Sequence, residues 1–119
     1  MSVLFKGGTI VNATGRYVAD VFADGDKIKA IGMDLDNPAD EVVDAKGQYI
    51  LPGAIDPHTH LCMPFMGTYA QDDYETGTIA AACGGVTCVV DFDLQQKGET
   101  LLEALERKKA LAEGKACVD

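Results

Sequence analysis

The sequence contains few basic residues, since 10 lysines and arginines face 19 aspartates and glutamates, for a formal net charge of −9. A chain of this sign does not favour nucleic acid or an anionic membrane surface as a partner. No apolar run approaches the roughly 20 residues that cross a bilayer. Residues 1–12 have neither a basic leader nor a long apolar segment. No secretory signal is therefore recognised, and the cytoplasm is the expected compartment.

Cysteine is also scarce, and it forms no recognisable motif. The four cysteines include no Cys-x-x-Cys pair, so neither a zinc ribbon nor a thioredoxin-like redox site is indicated. Without an export signal, we expect reduced, buried thiols that pack as small apolar side chains.

Residues 1–51 are predicted to form a small antiparallel β unit. Short apolar runs alternate with clusters of turn-forming residues, and Asp24-Gly25 is typical of a hairpin turn. Residues 27–31 alternate polar and apolar side chains, as a half-buried strand does. No helical segment interrupts these short strands.

From residue 52 onward, predicted strands and helices alternate. The strands are expected at 54–60, at 86–92 and from 116 onward, and the helices at 72–83 and 100–113. The order β-α-β-α-β predicts a parallel sheet. The chain is therefore of the α/β class and divides into residues 1–51 and residues 52–119.

Both predicted helices begin with residues spaced as a capping box. Asp72 and Glu75 have this spacing in the first helix, and Thr100 and Glu103 in the second. Glu103 is also spaced to pair with Arg107 along the second helix. The short, valine-rich run at 86–92 is typical of a parallel strand that is buried on both faces.

The chain has two histidines, and they lie two residues apart in the segment Asp56-Pro57-His58-Thr59-His60. Alternate side chains of a strand share a face, so His58, His60 and Asp56 are expected on the same side. Neutral imidazoles are common zinc ligands, and a neighbouring acceptor often orients the ring. The pattern predicts His58 and His60 as metal ligands, with Asp56 as the acceptor. A bare His-x-His also occurs at ordinary polar strand ends, but this one ends the first strand of a βαβ series, where barrel active sites lie.

The segment LPGAIDPHTHLCMPFMGTYAQDDYETGTIAAACGGVTCVVDF at residues 51–92 resembles the hydantoinase/dihydropyrimidinase family of the amidohydrolase superfamily. The opening KGGTIVNATGRYVADVFADGDKIKAIG and the closing KGETLLEALERKKALAEGKACVD resemble the same family. The resemblance implies the N-terminal part of a metal-dependent hydrolase. Residues 1–51 would form half of a β-sandwich-like domain. Residues 52–119 would form the first two βα units of a TIM-type (β/α)8 barrel, which is incomplete in this chain.

The resemblance also implies a chemistry for the parent protein. His58 and His60 would bind one of two zinc ions in an enzyme that hydrolyses the cyclic amide bond of dihydropyrimidines or 5-substituted hydantoins. The family's other metal ligands, a carboxylated lysine, two more histidines and an aspartate, would lie further along the polypeptide. No catalytic residue is assigned within this chain. Its partner would be a cyclic ureide or imide, and the parent a homo-oligomer, either a tetramer or a dimer.

The loop after the first of these strands carries several apolar residues. The resemblance implies that Met63 and Phe65 line the pocket for the substituent of the substrate ring, while burial in the core is the other interpretation. Tyr69 and Tyr74 are expected to be packing residues. Asp91, at the end of the next strand, is expected to make structural hydrogen bonds, with support of the metal site as the other interpretation.

Alternative functions stay open on the sequence alone. They are a non-catalytic scaffold related to dihydropyrimidinase, a free-standing interaction module and, among enzymes, an allantoinase or dihydroorotase. A (β/α)8 barrel needs about 250 residues, and this chain stops where a strand begins, as a truncated chain would. We therefore expect the 119 residues alone to be inactive and to bind zinc weakly or not at all.

Overall fold

The computed structural model describes residues 1–119 as two compact units, Met1–Pro52 and Gly53–Asp119. No helix has both the length and the apolar character that a membrane span requires. The first unit contains five strands: β1 (Ser2–Asn12), β2 (Gly15–Asp24), β3 (Lys27–Gly32), β4 (Glu41–Asp44) and β5 (Tyr49–Ile50). The second contains β6 (Ala54–Thr59), β7 (Pro64–Phe65), β8 (Thr68–Tyr69), α1 (Tyr74–Cys83), β9 (Val86–Asp91) and α2 (Leu101–Ala112).

The sheet of the first unit is mixed, which corrects the expectation of a purely antiparallel unit. Its order is β3-β2-β1-β4, with β5 also paired to β1. Strands β1, β2 and β3 form antiparallel hairpins, whereas β4 and β5 run parallel to β1. The reason is the connection at residues 33–40, which is too long for a hairpin and returns the chain to the start of β1. There Asp40 accepts a hydrogen bond from the backbone N–H of Ser2 at 2.7 Å.

A buried carboxylate fixes the bulge in β1. Asp20 accepts hydrogen bonds from the backbone N–H groups of Gly7 at 2.7 Å and Leu35 at 3.0 Å, and it pairs with Lys6 at 2.8 Å. The hydrogen bond from Lys6 is the largest of the effects that lower the pKa of Asp20. Gly7 has φ +68°, a conformation that glycine adopts without strain. The bulge and the return connection are therefore held by the same side chain.

In the second unit, β6 and β9 form the parallel pair that the βαβ pattern predicted. Strand β9 is less buried than its valine-rich sequence suggested, since Val90 is 54% exposed. The reason is that α1 packs against β9 on one face while the face that carries Val90 is open in this chain.

The start of α1 lies one residue later than the capping-box spacing predicted. Asp73 rather than Asp72 is the N-cap, and its side chain accepts the backbone N–H of Thr76 at 2.8 Å. Asp72 still belongs to the preceding loop, where its carbonyl accepts the N–H of Cys62 at 2.9 Å. The box of Asp73 and Thr76 replaces the predicted pair of Asp72 and Glu75.

The capping box of α2, formed by Thr100 and Glu103, is confirmed. The predicted pair of Glu103 and Arg107 is wrong, because the Glu103 carboxylate is bound at the cap. Arg107 pairs instead with Glu99 at 2.9 Å and Asp93 at 3.2 Å.

Two segments of the second unit also differ from the sequence prediction: the residues from 116 onward and the loop after β6. The segment expected as a third strand from residue 116 is not a strand, although Asp119 exchanges backbone hydrogen bonds with Val89 and Thr87. The loop after β6 contains a hairpin, β7–β8, that the sequence analysis did not predict.

The prediction of buried cysteines is wrong for Cys83 and Cys117, which are exposed, while Cys62 and Cys88 are half-buried. The reason is that Cys83 ends α1 and Cys117 lies in the segment after α2, where no other element of this chain covers them.

Candidate metal centre

His58 and His60 lie side by side at the carboxyl end of β6. Their Nε2 atoms are 2.9 Å apart, and their ring centroids are 4.9 Å apart. Both residues are exposed. The sequence analysis predicted that His58 and His60 share one face of the strand, and the structure brings their imidazoles together. The Nε2 atom of each ring is directed at the Nε2 atom of the other ring.

The spacing of these nitrogens suits a shared metal ion. Two imidazole nitrogens bound to one tetrahedral zinc ion, each about 2.0–2.1 Å from the metal, lie about 3.3 Å apart. The observed Nε2 separation of 2.9 Å would have to widen by only about 0.4 Å to reach that geometry. Neutral imidazole is also a donor that zinc prefers, so the pair fits the metal by chemistry as well as by distance.

The ring of Phe92 supports both imidazoles. It stacks on His58, with centroids 4.7 Å apart and planes inclined by 22°, and its centroid lies 5.5 Å from that of His60. Sequence reasoning missed this role, because an aromatic residue after a valine-rich strand is typical of ordinary core packing. Its position one residue beyond β9, beside the end of β6, was the available signal.

Asp56 makes its hydrogen bond to the main chain that carries the first histidine. Its Oδ1 accepts the backbone N–H of His58 at 3.1 Å. The bond holds the chain across Pro57, which has no N–H to donate. The role of Asp56 as the acceptor for an imidazole ring stays a prediction.

The carboxylate of Asp91 is the centre of a cluster beneath this site. Its Oδ1 accepts the hydroxyl of Thr59 at 3.0 Å and the backbone N–H of Leu61 at 2.9 Å. Its Oδ2 accepts the hydroxyl of Tyr74 at 2.5 Å and pairs with the Lys108 ammonium at 3.0 Å. Lys108 also donates to the backbone carbonyl of Leu61. The structural role expected for Asp91 is confirmed, as is the packing role of Tyr74, which is buried.

The ionisation of this cluster follows from its contacts. Burial disfavours the charged form of Asp91, but hydrogen bonds from Tyr74, Leu61 and Lys108 outweigh it and lower the pKa of the carboxyl. Burial, followed by the hydrogen bond to Asp91, raises the pKa of the Tyr74 phenol. Asp91 is therefore a carboxylate and Tyr74 a neutral donor across the range in which proteins normally work.

The two predicted pocket residues lie in different surroundings within the hairpin after β6. Met63 is buried, and its carbonyl accepts the N–H of Ala70 at 2.8 Å. Phe65 is exposed. The structure contains no bound ring against which to test them, so both stay predictions as pocket residues. Tyr69 is exposed as well, so the packing role predicted for it is wrong, because it lies in the short β7–β8 hairpin with its ring uncovered.

No group of three or more histidine, cysteine or acidic side chains in residues 1–119 is arranged to hold a metal ion. His58 and His60 are thus a pair of donors, and a complete zinc site needs about three or four protein ligands.

Comparisons with known proteins show the family of the chain. A model of the amidohydrolase family matches residues 49–118. The chain is 54% identical over 119 residues to the D-hydantoinase of Geobacillus stearothermophilus, covering 100% of this chain and 25% of that protein. It is 43% identical over 122 residues to the dihydropyrimidinase of Rattus norvegicus, covering 98% of this chain and 24% of that protein.

A solved structure gives the same result for the fold. The dihydropyrimidinase from Brevibacillus agri NCHU1002 superposes with a TM-score of 0.95 at 52% sequence identity, covering 100% of this chain and 26% of the other. The chain thus spans about a quarter of the length of the curated relatives it matches.

Proposed function

The chain belongs to the amidohydrolase family, and on that premise we propose that its protein is a zinc-dependent cyclic amidohydrolase. The substrates would be dihydropyrimidines or 5-substituted hydantoins, and the reaction would open the ring at an amide bond. The observation that carries the proposal is the His58–His60 pair, with Nε2 atoms 2.9 Å apart at the end of β6. The names of the matched relatives, D-hydantoinase and dihydropyrimidinase, support the substrate class.

The fold supports the same proposal. Strands β6 and β9 are parallel and joined through α1, which is the arrangement of the first βα unit in a (β/α)8 barrel. Barrel active sites lie at the carboxyl ends of the strands, and the histidine pair lies at that end of β6. The first unit would be half of a β-sandwich-like domain in the complete protein.

The residues of this chain would divide the work as follows. His58 and His60 would hold one zinc ion, with Asp56 fixing the backbone or ring of His58. Met63 and Phe65 would contact the substituent of the substrate ring. The other zinc ligands and the catalytic residues would come from elsewhere in the polypeptide, since this chain has no further histidine.

The chemistry would be the addition of water across the amide bond of the ring. The carbonyl carbon gains the water oxygen, the C–N bond breaks, and the nitrogen takes one proton of the water. The single open-chain product carries a carboxylate and a ureide or amide group, and the second proton of the water is released to solvent. Bound zinc would supply a nucleophile at neutral pH and polarise the carbonyl. The imidazoles would keep the metal at the mouth of the barrel. The complete protein would act as a homo-oligomer.

Hydrolysis by the full-length protein is expected to depend on bound metal. The protein should open the rings of dihydrouracil and hydantoin, lose this activity after treatment with a chelator, and recover it when zinc is added. Ring opening is measured as the decrease in the ultraviolet absorbance of the substrate. A full-length protein that holds no zinc and leaves both rings intact would contradict the proposal and favour a non-catalytic scaffold.

The 119-residue chain alone is expected to bind zinc only weakly. Two imidazoles leave the metal short of the three or four protein ligands that tight sites use. Isothermal titration of the isolated chain should therefore show no submicromolar zinc affinity, and the chain should open neither ring. The same titration of the full-length protein serves as the positive control.

A further inference from the structure

The two histidines lie where the hydrogen-bonded ladder between β6 and β9 becomes irregular. Asp56 pairs with Val89 and the next pair is Thr59 with Asp91, so the register shifts across Pro57 and His58. Pro57 has no N–H to give to a ladder, and His60 lies beyond the end of β6. Regular strand pairing therefore does not fix the peptides that carry the imidazoles, and some other contact must do so.

Asp91 supplies that contact on both sides of His60. Its Oδ1 accepts a hydrogen bond from the hydroxyl of Thr59, the residue between the two histidines, at 3.0 Å. The same oxygen accepts the backbone N–H of Leu61, the residue after His60, at 2.9 Å. The Leu61 carbonyl is held by Lys108, so both polar groups of that residue's backbone are fixed. The Thr59 carbonyl accepts the N–H of Phe92 at 3.0 Å.

Asp91 is itself held from its other oxygen. Oδ2 contacts Tyr74 of α1 and Lys108 of α2, and the Asp91 and Lys108 side chains retain only 10% and 9% of their exposed area. A buried carboxylate with four partners has one orientation available to it. Contacts from the helices therefore hold Asp91 in place, and Asp91 in turn holds the backbone on both sides of His60.

We infer that Asp91 is a positioning residue for the metal, which sets the spacing of His58 and His60 by holding the chain at Thr59 and Leu61. The inference rests on the proposed function, since it takes the two imidazoles to be zinc ligands. Asp91 does not touch the metal in this account. It acts through the main chain, and Lys108 holds that arrangement from below through both Asp91 Oδ2 and the Leu61 carbonyl.

The test is made on the full-length protein with Asp91→Ala, which removes the oxygen that accepts from Thr59 and Leu61. Zinc affinity is measured by competition with a chromogenic chelator, and the coordination geometry from the visible spectrum of the cobalt(II)-loaded protein. We expect zinc affinity to fall by about tenfold or more, as for other residues that orient metal ligands from outside the coordination shell. The cobalt spectrum should change as well, which loss of stability alone would not cause.

A matched pair of variants separates positioning from general stability. Thr59→Val removes one bond to Asp91 on the histidine side, and Tyr74→Phe removes one bond on the opposite side. Thr59→Val should weaken zinc binding and shift the cobalt spectrum, while Tyr74→Phe should leave both near wild type, because Lys108, Thr59 and Leu61 still hold Asp91. If Asp91→Ala does not fold, this comparison decides the question, and equal effects of the two variants would overturn the inference.

The outcomes also distinguish the inference from the proposed function. Tight zinc binding by the wild type with unchanged affinity and spectrum in Asp91→Ala would overturn the positioning role alone. A wild-type protein that does not bind zinc would overturn the proposed function and this inference together.

Discussion

Replacing His58 with alanine in the full-length protein is expected to weaken zinc binding by more than about 100-fold. The loss should exceed the 10–100-fold range typical of residues that only orient ligands, because a donor atom itself is removed. The remaining His60 would then hold the ion without the second imidazole, whose Nε2 lies 2.9 Å from its own in the wild type. Zinc retained after dialysis and the rate of ring opening at limiting zinc are the two measurements.

The double variant His58→Ala/His60→Ala gives the internal control. Two residues that hold the same ion act as a unit, so removing both should cost little more than removing one. Independent, additive losses would mean that the rings serve different sites. A His58→Ala variant that keeps wild-type zinc and activity would exclude the pair as ligands.

The histidine pair could be predicted from the sequence because it depends on one local rule. Alternate residues of a strand share a face, and β6 is extended through Thr59, one residue short of the predicted strand. The resemblance of residues 51–92 to a known family added the prediction of a metal ion, which His-x-His alone does not establish. Local geometry and a specific motif therefore sufficed for this part of the site.

The support beneath the pair could not be predicted in the same way. Lys108 lies in the run Glu106-Arg107-Lys108-Lys109, where nothing distinguishes the buried lysine from its exposed neighbour. Lysine is almost never buried unless it is paired, and its partner Asp91 lies 17 residues earlier. Contacts between elements distant along the chain decide such positions.

The errors in the fold have the same origin. Hairpins of the first unit followed from turn residues, but the parallel placement of β4 and β5 depends on where the connection at residues 33–40 returns. The N-cap of α1 shifted to Asp73 because the Asp72 carbonyl is used by Cys62. Composition and periodicity contain neither fact, because both depend on partners from another part of the chain.

Lys108→Met is expected to lower the free energy of unfolding of the full-length protein by about 3–5 kcal/mol. Methionine matches the length of the lysine chain and is apolar, so the loss comes from leaving the Asp91 carboxylate buried without its cation. It also frees the carbonyl of Leu61 from its donor. Urea unfolding, with the midpoint shift read at unchanged slope, measures the difference.

Lys109→Met is the matched control, since it makes the same replacement one residue further along α2. Lys109 is exposed and pairs only with Glu106 at the surface, so its loss should cost no more than about 0.5 kcal/mol.

The pH dependence of the stability provides a second check. Because the pKa of Asp91 is lowered in the folded protein, its contribution to stability is present above its ordinary value of about 3.9 and is lost as the pH falls through the folded pKa. The difference in the free energy of unfolding between wild type and Lys108→Met should therefore become smaller as the pH falls through the folded pKa of Asp91. A difference that stays constant down to that pH would show that the ion pair is not its source.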